Sequence, residues 1–64
     1  MLKSEAIQEM QNGRRITHEY FDNNEFMTMK DGQICLEDGV KCSPEEYWKW
    51  RTTEDWETGY SFYD

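Results

Sequence analysis

Apolar residues near the start of the chain recur at helical spacing, namely Leu2, Ala6, Ile7 and Met10. Ser4 is available as an N-cap, and Gly13 stands where a helix would end in the left-handed conformation. This pattern predicts a short amphipathic helix over residues 4–12. Residues 14–18 then favour a strand, and residues 22–24 favour a loop.

Two Asp-Gly pairs, at 31–32 and 38–39, divide the middle of the chain into three short strands. If each pair is a two-residue turn with both central residues at positive φ, counting outward fixes the register. The first turn then pairs Lys30 with Gln33, Met29 with Ile34 and Met27 with Leu36. The apolar members of these pairs fall on one face of the sheet, as a core requires.

The second turn, counted in the same way, pairs Leu36 with Lys41 and Cys35 with Cys42. The two cysteines would form a hydrogen-bonded pair, whose Cα separation of about 5.5 Å permits a disulfide although the side-chain directions suit one poorly. Because the chain shows no export signal, reduced and partly buried thiols are favoured over a disulfide. These cysteines and the single His18 do not make a zinc-binding pattern, so neither a metal nor a cofactor is expected.

The start of a second helix is marked by Ser43 as a capping hydroxyl, Pro44 at the first helical position and Glu46 at the third. The helix is predicted over residues 44–51. Three residues at i, i+3 and i+4 share one face of it, namely Tyr47, Trp50 and Arg51. Trp48 turns away from that face; if the monomer buries the face, Trp48 is left exposed for an oligomer interface, a ligand or a partner.

The order of elements predicts the fold class. Residues 54–56 favour a turn, and the alternation over residues 59–63 predicts a last strand. The chain is therefore predicted to be one compact α+β domain over residues 1–64, in which a small antiparallel sheet (strand, two tight hairpins, C-terminal strand) is packed by one or two short helices. A domain of this size buries only about 60% of its unfolded surface, which favours self-association over an enzyme cleft.

Charge is distributed unevenly between the two halves of the chain. The sequence holds 14 acidic and 7 basic residues, for a net charge of −7. Residues 1–30 contain 5 acidic and 4 basic residues (net −1), whereas residues 31–64 contain 9 and 3 (net −6). Direct nucleic-acid binding is not expected, because tracking phosphates needs the opposite sign. Such a surface either keeps a small protein soluble or steers it to a basic surface of another protein, such as a nucleic-acid groove.

The sequence does not favour catalysis. Its carboxylate pairs at 37–38, 45–46 and 54–55 are adjacent in sequence, so the two side chains of each pair point apart on a strand or helix. The chain also lacks an apolar run long enough for a signal peptide or a membrane span, which favours a cytoplasmic location in the cell that makes it.

Residues 5–16, followed by Phe21, Asn23 and the strand of Met27 and Met29, resemble the opening of a small phage-encoded family. The family pattern is a helix ending in Lys-x-Gly-Lys, a strand flanked by basic residues, and a turn that contains Trp-Asn. Residues 54–57, Glu-Asp-Trp-Glu, are similar to its closing Asp-Trp signature. The family includes the Thoeris anti-defence sponges, which oligomerise and sequester a cyclic ADP-ribose-type signal, and a proposed anti-CRISPR. The resemblance covers about half of the chain.

The resemblance carries six positions over to this chain. It implies that Gly13, Ile16 and Trp56 are fold positions and that Phe21, Asn23 and Asp55 are candidate contacts. The chain departs from the family pattern at residues 18–20, where His-Glu-Tyr replaces an Arg before the aromatic residue, and at Phe21, where the family has Trp.

Two functions are expected from these observations. The first is a non-catalytic, anti-CRISPR-like inhibitor that occupies a basic groove of a host effector through an acidic surface of Glu45, Glu46, Trp48, Glu54, Asp55 and Glu57. The alternative is an oligomeric sponge that holds a cyclic or ADP-ribose-derived nucleotide through Arg14, Arg15, Phe21 and Asn23. A phage protein without an inhibitory role is the third interpretation.

Overall fold

The first helix, α1, spans Lys3–Gln11 in a computed structural model that describes residues 1–63. The helix begins earlier than predicted, with Leu2 rather than Ser4 at the N-cap position. The reason is that the Glu5 carboxylate accepts a hydrogen bond from the Leu2 N–H at 2.8 Å and so supplies the cap from inside the helix. Gly13 follows the helix with a φ of +87°, as predicted.

Five short strands form one antiparallel sheet. They are β1 (Ile16–His18), β2 (Met27–Lys30), β3 (Gln33–Leu36), β4 (Lys41–Cys42) and β5 (Tyr60–Phe62). Their order in the sheet is β4-β3-β2-β1-β5, and every neighbouring pair is antiparallel. The predicted small α+β fold is therefore confirmed.

The turn between β2 and β3 has the predicted geometry. Asp31 and Gly32 have φ values of 54° and 78°, which are the two positive values of a two-residue hairpin turn. The pairs counted outward from it, Lys30 with Gln33, Met29 with Ile34 and Met27 with Leu36, are those of the structure.

The register predicted for the second turn is wrong by one residue. The connection is a three-residue loop over 37–39, in which the Gly39 N–H donates to the Leu36 carbonyl and the Leu36 N–H donates to the Val40 carbonyl, both at 2.9 Å. Gly39 alone has a positive φ, +88°, as in a loop closed by a left-handed residue. Cys42 consequently lies opposite Ile34, and Cys35 lies opposite Lys41. The two thiols are free and lie on opposite faces of the sheet.

Helix α2 spans Pro44–Lys49 and begins as predicted. The Ser43 hydroxyl oxygen accepts a hydrogen bond from the Glu46 N–H at 3.1 Å. The helix ends two residues earlier than predicted, because Trp50 at the C-cap has left the helical path. A short 3-10 turn over Glu54–Trp56 follows and leads into β5.

The core lies between one face of the sheet and the helices. Its buried apolar residues are Ala6, Met10, Ile16, Met27, Ile34, Tyr47 and Tyr60. Since α1, the sheet and α2 all contribute to this cluster, both helices cover the same face, and the opposite face is left without a helix over residues 1–63. No helix among those residues is long and apolar enough to cross a membrane.

Candidate functional site

A buried histidine fixes the chain around the 3-10 turn. His18 is only 2% exposed. Its Nε2 lies 2.8 Å from the Thr58 carbonyl oxygen and 3.2 Å from that of Asp55. Its Nδ1 lies 3.1 Å from the Tyr20 backbone nitrogen. Because a backbone N–H can only donate, Nδ1 is the acceptor and the proton sits on Nε2, which makes the ring neutral.

Aromatic rings surround this imidazole. Ring-centroid distances from His18 are 4.4 Å to Trp56, 4.6 Å to Tyr60, 5.0 Å to Tyr20 and 6.0 Å to Phe21. The closest ring belongs to Trp56, which follows Glu54 and Asp55 in the 3-10 turn. The cluster therefore packs this turn against β1 and β5.

Sequence reasoning gave His18 no structural role. The sequence feature that indicates its burial is its position two residues after Ile16. Residues two apart on a strand share a face, and Ile16 belongs to the apolar pattern. That alternation would have placed His18 in the core.

Residues 53–58, which we call the acidic segment, carry three of the predicted contact residues. Glu54, Asp55 and Glu57 are all exposed. The backbone beneath them is held at two points, by the bonds of His18 and by the Lys3 N–H, which donates to the Glu57 carbonyl at 2.9 Å. The segment therefore presents three carboxylates to solvent from a fixed backbone.

Neighbouring tyrosines report the local electrostatics. Desolvation, followed by the charges of Asp55 and Glu19, raises the pKa of Tyr20. Burial raises the pKa of Tyr47 to about 12, an effect that the nearby Arg51 guanidinium opposes. Burial also raises the pKa of Tyr60 to about 12. These phenols are held in their neutral form.

Glu45 and Glu46 form a second acidic group. Both are exposed in the first turn of α2. The acidic segment instead neighbours the other end of this helix, where the Arg51 guanidinium lies over the Tyr47 ring at 3.9 Å and over the Trp56 ring at 5.4 Å. Since a six-residue helix is about 9 Å long, the structure splits the predicted acidic residues into two groups at its opposite ends.

The expectation that Trp48 is the exposed aromatic of α2 is wrong. Trp48 is half-buried against the core, with its ring 5.0 Å from the Tyr47 ring and with the Lys3 ammonium 4.5 Å above it. Trp50 is the exposed tryptophan, at 77%. Trp50 is the C-cap residue of α2, and the Arg51 guanidinium, not Trp50, covers the Tyr47 ring.

The residues proposed for nucleotide binding do not converge. Arg14 lies over the Phe62 ring at 4.1 Å, whereas Arg15 points to the opposite face of the sheet, over Phe26 and Tyr63 at 5.2 Å each. Phe21 packs in the His18 cluster, and Asn23 is exposed in the loop before β2. Residues 1–63 form no concave pocket for a small ligand. This set would need a second chain to become one site.

No protein-family model, no curated protein and no solved structure matches the chain. Within the described residues 1–63, no three His, Cys, Asp or Glu side chains are grouped so that they could hold a metal ion.

Proposed function

We propose that this chain is a non-catalytic, phage-type inhibitor that binds a bacterial antiviral effector and places its acidic segment in a basic, nucleic-acid-binding groove of that effector. The observation that carries the proposal is the exposure of Glu54, Asp55 and Glu57 on a segment with a fixed backbone. Three carboxylates within four residues offer a basic groove closely spaced negative charge, as successive phosphates do. The resemblance of residues 5–16 and 54–57 to a phage family supports the kind of target.

Rigidity supports binding by this segment. A loop that is ordered before binding loses less conformational entropy on association than a flexible one. The His18 bonds to Asp55 and Thr58, together with the Lys3 bond to Glu57, already hold the segment in the free protein. The carboxylates therefore meet a partner in a defined arrangement.

An exposed tryptophan lies close to the acidic segment in sequence. Trp50 is 77% exposed at the end of α2, with the Lys49 ammonium 5.4 Å from its ring centroid. Tryptophan is among the residues that most often carry a large share of the binding energy at protein interfaces. In this proposal Trp50 takes the anchoring role that the sequence had given to Trp48, while the acidic groups at both ends of α2 steer the approach.

The test measures binding of the protein to purified CRISPR effector nucleases, with and without their guide RNA. Binding should weaken steeply as salt rises, because exposed charges are screened. The double variant E54Q/E57Q should bind at least tenfold more weakly than the parent, mainly through a slower association rate. Trp50→Ala should weaken binding at all salt concentrations, mainly through faster dissociation.

The matched control is E9Q/D31N. It also removes two negative charges, but from α1 and from the β2–β3 turn. Asparagine accepts the positive φ of residue 31, so this variant keeps the turn. Equal weakening by both double variants would show that net charge matters and the acidic segment does not. Binding that is independent of salt would contradict the proposal outright.

A further inference from the structure

In the described part of the chain, the strands of the sheet carry basic side chains, and no acidic ones, on the face turned away from the helices. We call this surface the open face. It includes Arg15, Phe26, Thr28, Lys30, Lys41 and Tyr63. No acidic residue occurs in any of the five strands of residues 1–63. Arg15, Lys30 and Lys41 are all exposed. The acidic residues of that region lie outside the strands, and two of them, Glu19 and Glu37, directly follow β1 and β3.

Residues of the open face form a row across the sheet, in which Arg15 directly precedes β1 and Tyr63 directly follows β5. Cys35 is opposite both Thr28 and Lys41. Continuing the register of Ile16 by one residue places Arg15 beside Thr28 on one side and Tyr63 on the other. The Tyr63 N–H donates to the Arg15 carbonyl at 3.0 Å, in agreement with this register. Four strand spacings make the row about 19 Å long, with a cation near each end.

Two aromatic rings stand at the Arg15 end of the row. The Phe26 and Tyr63 rings are 4.7 Å apart, and the Arg15 guanidinium lies 5.2 Å from each. Both rings are half-buried, so part of each remains accessible. Aromatic rings and an arginine on a sheet surface are the groups on which unpaired bases stack.

The expectation of no nucleic-acid binding rests on the net charge, which averages over both faces. The shortest dimension of the molecule is 19 Å. At physiological salt the Debye length is about 8 Å, so carboxylates on the helical side act only weakly on a ligand at the open face. The local charge of each face therefore decides what binds there.

We propose that the open face binds single-stranded nucleic acid. The phosphates lie against Arg15, Lys30 and Lys41, and a base stacks at Tyr63 and Phe26. The surface is distinct from the acidic segment, so this binding is independent of the proposed inhibitory function. Backbone phosphates and base faces are common to DNA and RNA, and the surface recognises both through them.

Fluorescence anisotropy with labelled oligothymidine and oligouridine of about ten nucleotides tests the proposal. We expect binding to at least one of them at low salt. With three phosphate contacts, the slope of log K against log salt should be about −2. Lys41→Gln should reduce the size of that slope by about 0.7, and Tyr63→Leu should weaken binding about tenfold with little change in slope.

Lys49→Gln is the matched control, since it removes the same charge from an exposed position on the helical side. It should leave the affinity within twofold of the parent. Absence of binding to both oligomers at low salt, or equal loss in the Lys41 and Lys49 variants, overturns the proposal. Equally tight binding of duplex DNA or inorganic polyphosphate also overturns it, because neither presents an unpaired base.

A second copy of the chain is the other possible occupant of the open face. Sedimentation of the protein without nucleic acid tests for it. If K30Q/K41Q abolishes a concentration-dependent dimer while the parent binds no oligonucleotide, the open face is an interface between copies and the proposal is overturned. Both lysines are exposed, so the variants should unfold at the same temperature as the parent.

Discussion

His18 connects two parts of the chain that are 40 residues apart in sequence. Its ring accepts from the Tyr20 N–H and donates to the Thr58 carbonyl, so both nitrogens are satisfied although the side chain is buried. Removing either bond would leave a buried polar group without a partner, at a cost of about 1–3 kcal/mol. The histidine therefore holds the acidic segment in position.

Two amide variants test the Nε2 and Nδ1 hydrogen bonds of His18 one at a time. Glutamine places its amide near the Nε2 position, whereas asparagine places it near Nδ1. We expect His18→Gln to lower the free energy of unfolding by about 1–3 kcal/mol while keeping the link to Thr58. His18→Asn should lose that link and release residues 54–59. Urea unfolding and amide hydrogen exchange measure the two effects. Slower exchange of residues 54–59 in the asparagine variant than in the glutamine variant would contradict this assignment.

Buried tyrosines should make the fold sensitive to alkali. Burial raises the pKa of Tyr47 to about 12, compared with about 10 for an unfolded chain. Because the unfolded state loses this proton first, the stabilisation is complete below pH 10 and is lost as the pH rises from about 10 to 12. Tyr60, whose pKa is also raised to about 12, adds to the effect.

Tyr47→Phe removes one of these ionisable groups and keeps the ring. We expect the variant to lose less stability than the parent between pH 10 and 12. Circular dichroism follows unfolding, and tyrosinate absorbance follows ionisation in the same samples. Equal loss in both proteins would exclude Tyr47 as a source of the alkaline sensitivity.

Among the elements, local turn chemistry decided what could be predicted from the sequence. An Asp-Gly pair fits a two-residue turn at 31–32, where both residues take positive φ, but at 38–39 only Gly39 does. The dipeptide is compatible with both turns, so the choice depends on how β4 packs. The three-residue loop puts Cys42 on the same face as the buried Ile34. The predicted register would have turned that side chain away from the core.

The same limit applies to the candidate site. The sequence placed the carboxylates of the acidic segment, because charge and exposure go together in a small domain. It could not place Trp48 and Trp50, since which of them faces the core depends on tertiary contacts at the end of a six-residue helix. Helix ends in short helices are set by tertiary contacts more than by propensity.

At the scale of the whole molecule, 14 acidic side chains face only 7 basic ones, so at least half of the acidic side chains have no basic side chain to match them. Five of the 7 basic side chains lie over aromatic rings, namely Lys3, Arg14, Arg15, Lys49 and Arg51. Meanwhile Glu45, Glu46 and the three carboxylates of the acidic segment are exposed. A net charge of −7 then acts mainly as repulsion within the molecule.

This repulsion predicts a stability that rises with salt. At about 0.01 M salt the Debye length of about 30 Å exceeds the longest dimension of the molecule, 27 Å, so all of its charges interact. At about 1 M the length falls to about 3 Å and the repulsion is screened. We expect the free energy of unfolding to rise by on the order of 1 kcal/mol between these limits. Urea unfolding in sodium chloride measures it, since sulfate would also strengthen apolar burial.

The variant E54Q/E57Q locates the source of the repulsion. Removing two of the three carboxylates of the acidic segment should raise stability at low salt and reduce the gain from added salt. E9Q/D31N makes the same change in net charge at other places and should act less. If stability instead falls as sodium chloride is added, attraction between unlike charges outweighs repulsion in this fold. The exposed carboxylates would then be held by partners within the molecule and would be less free to meet a basic groove.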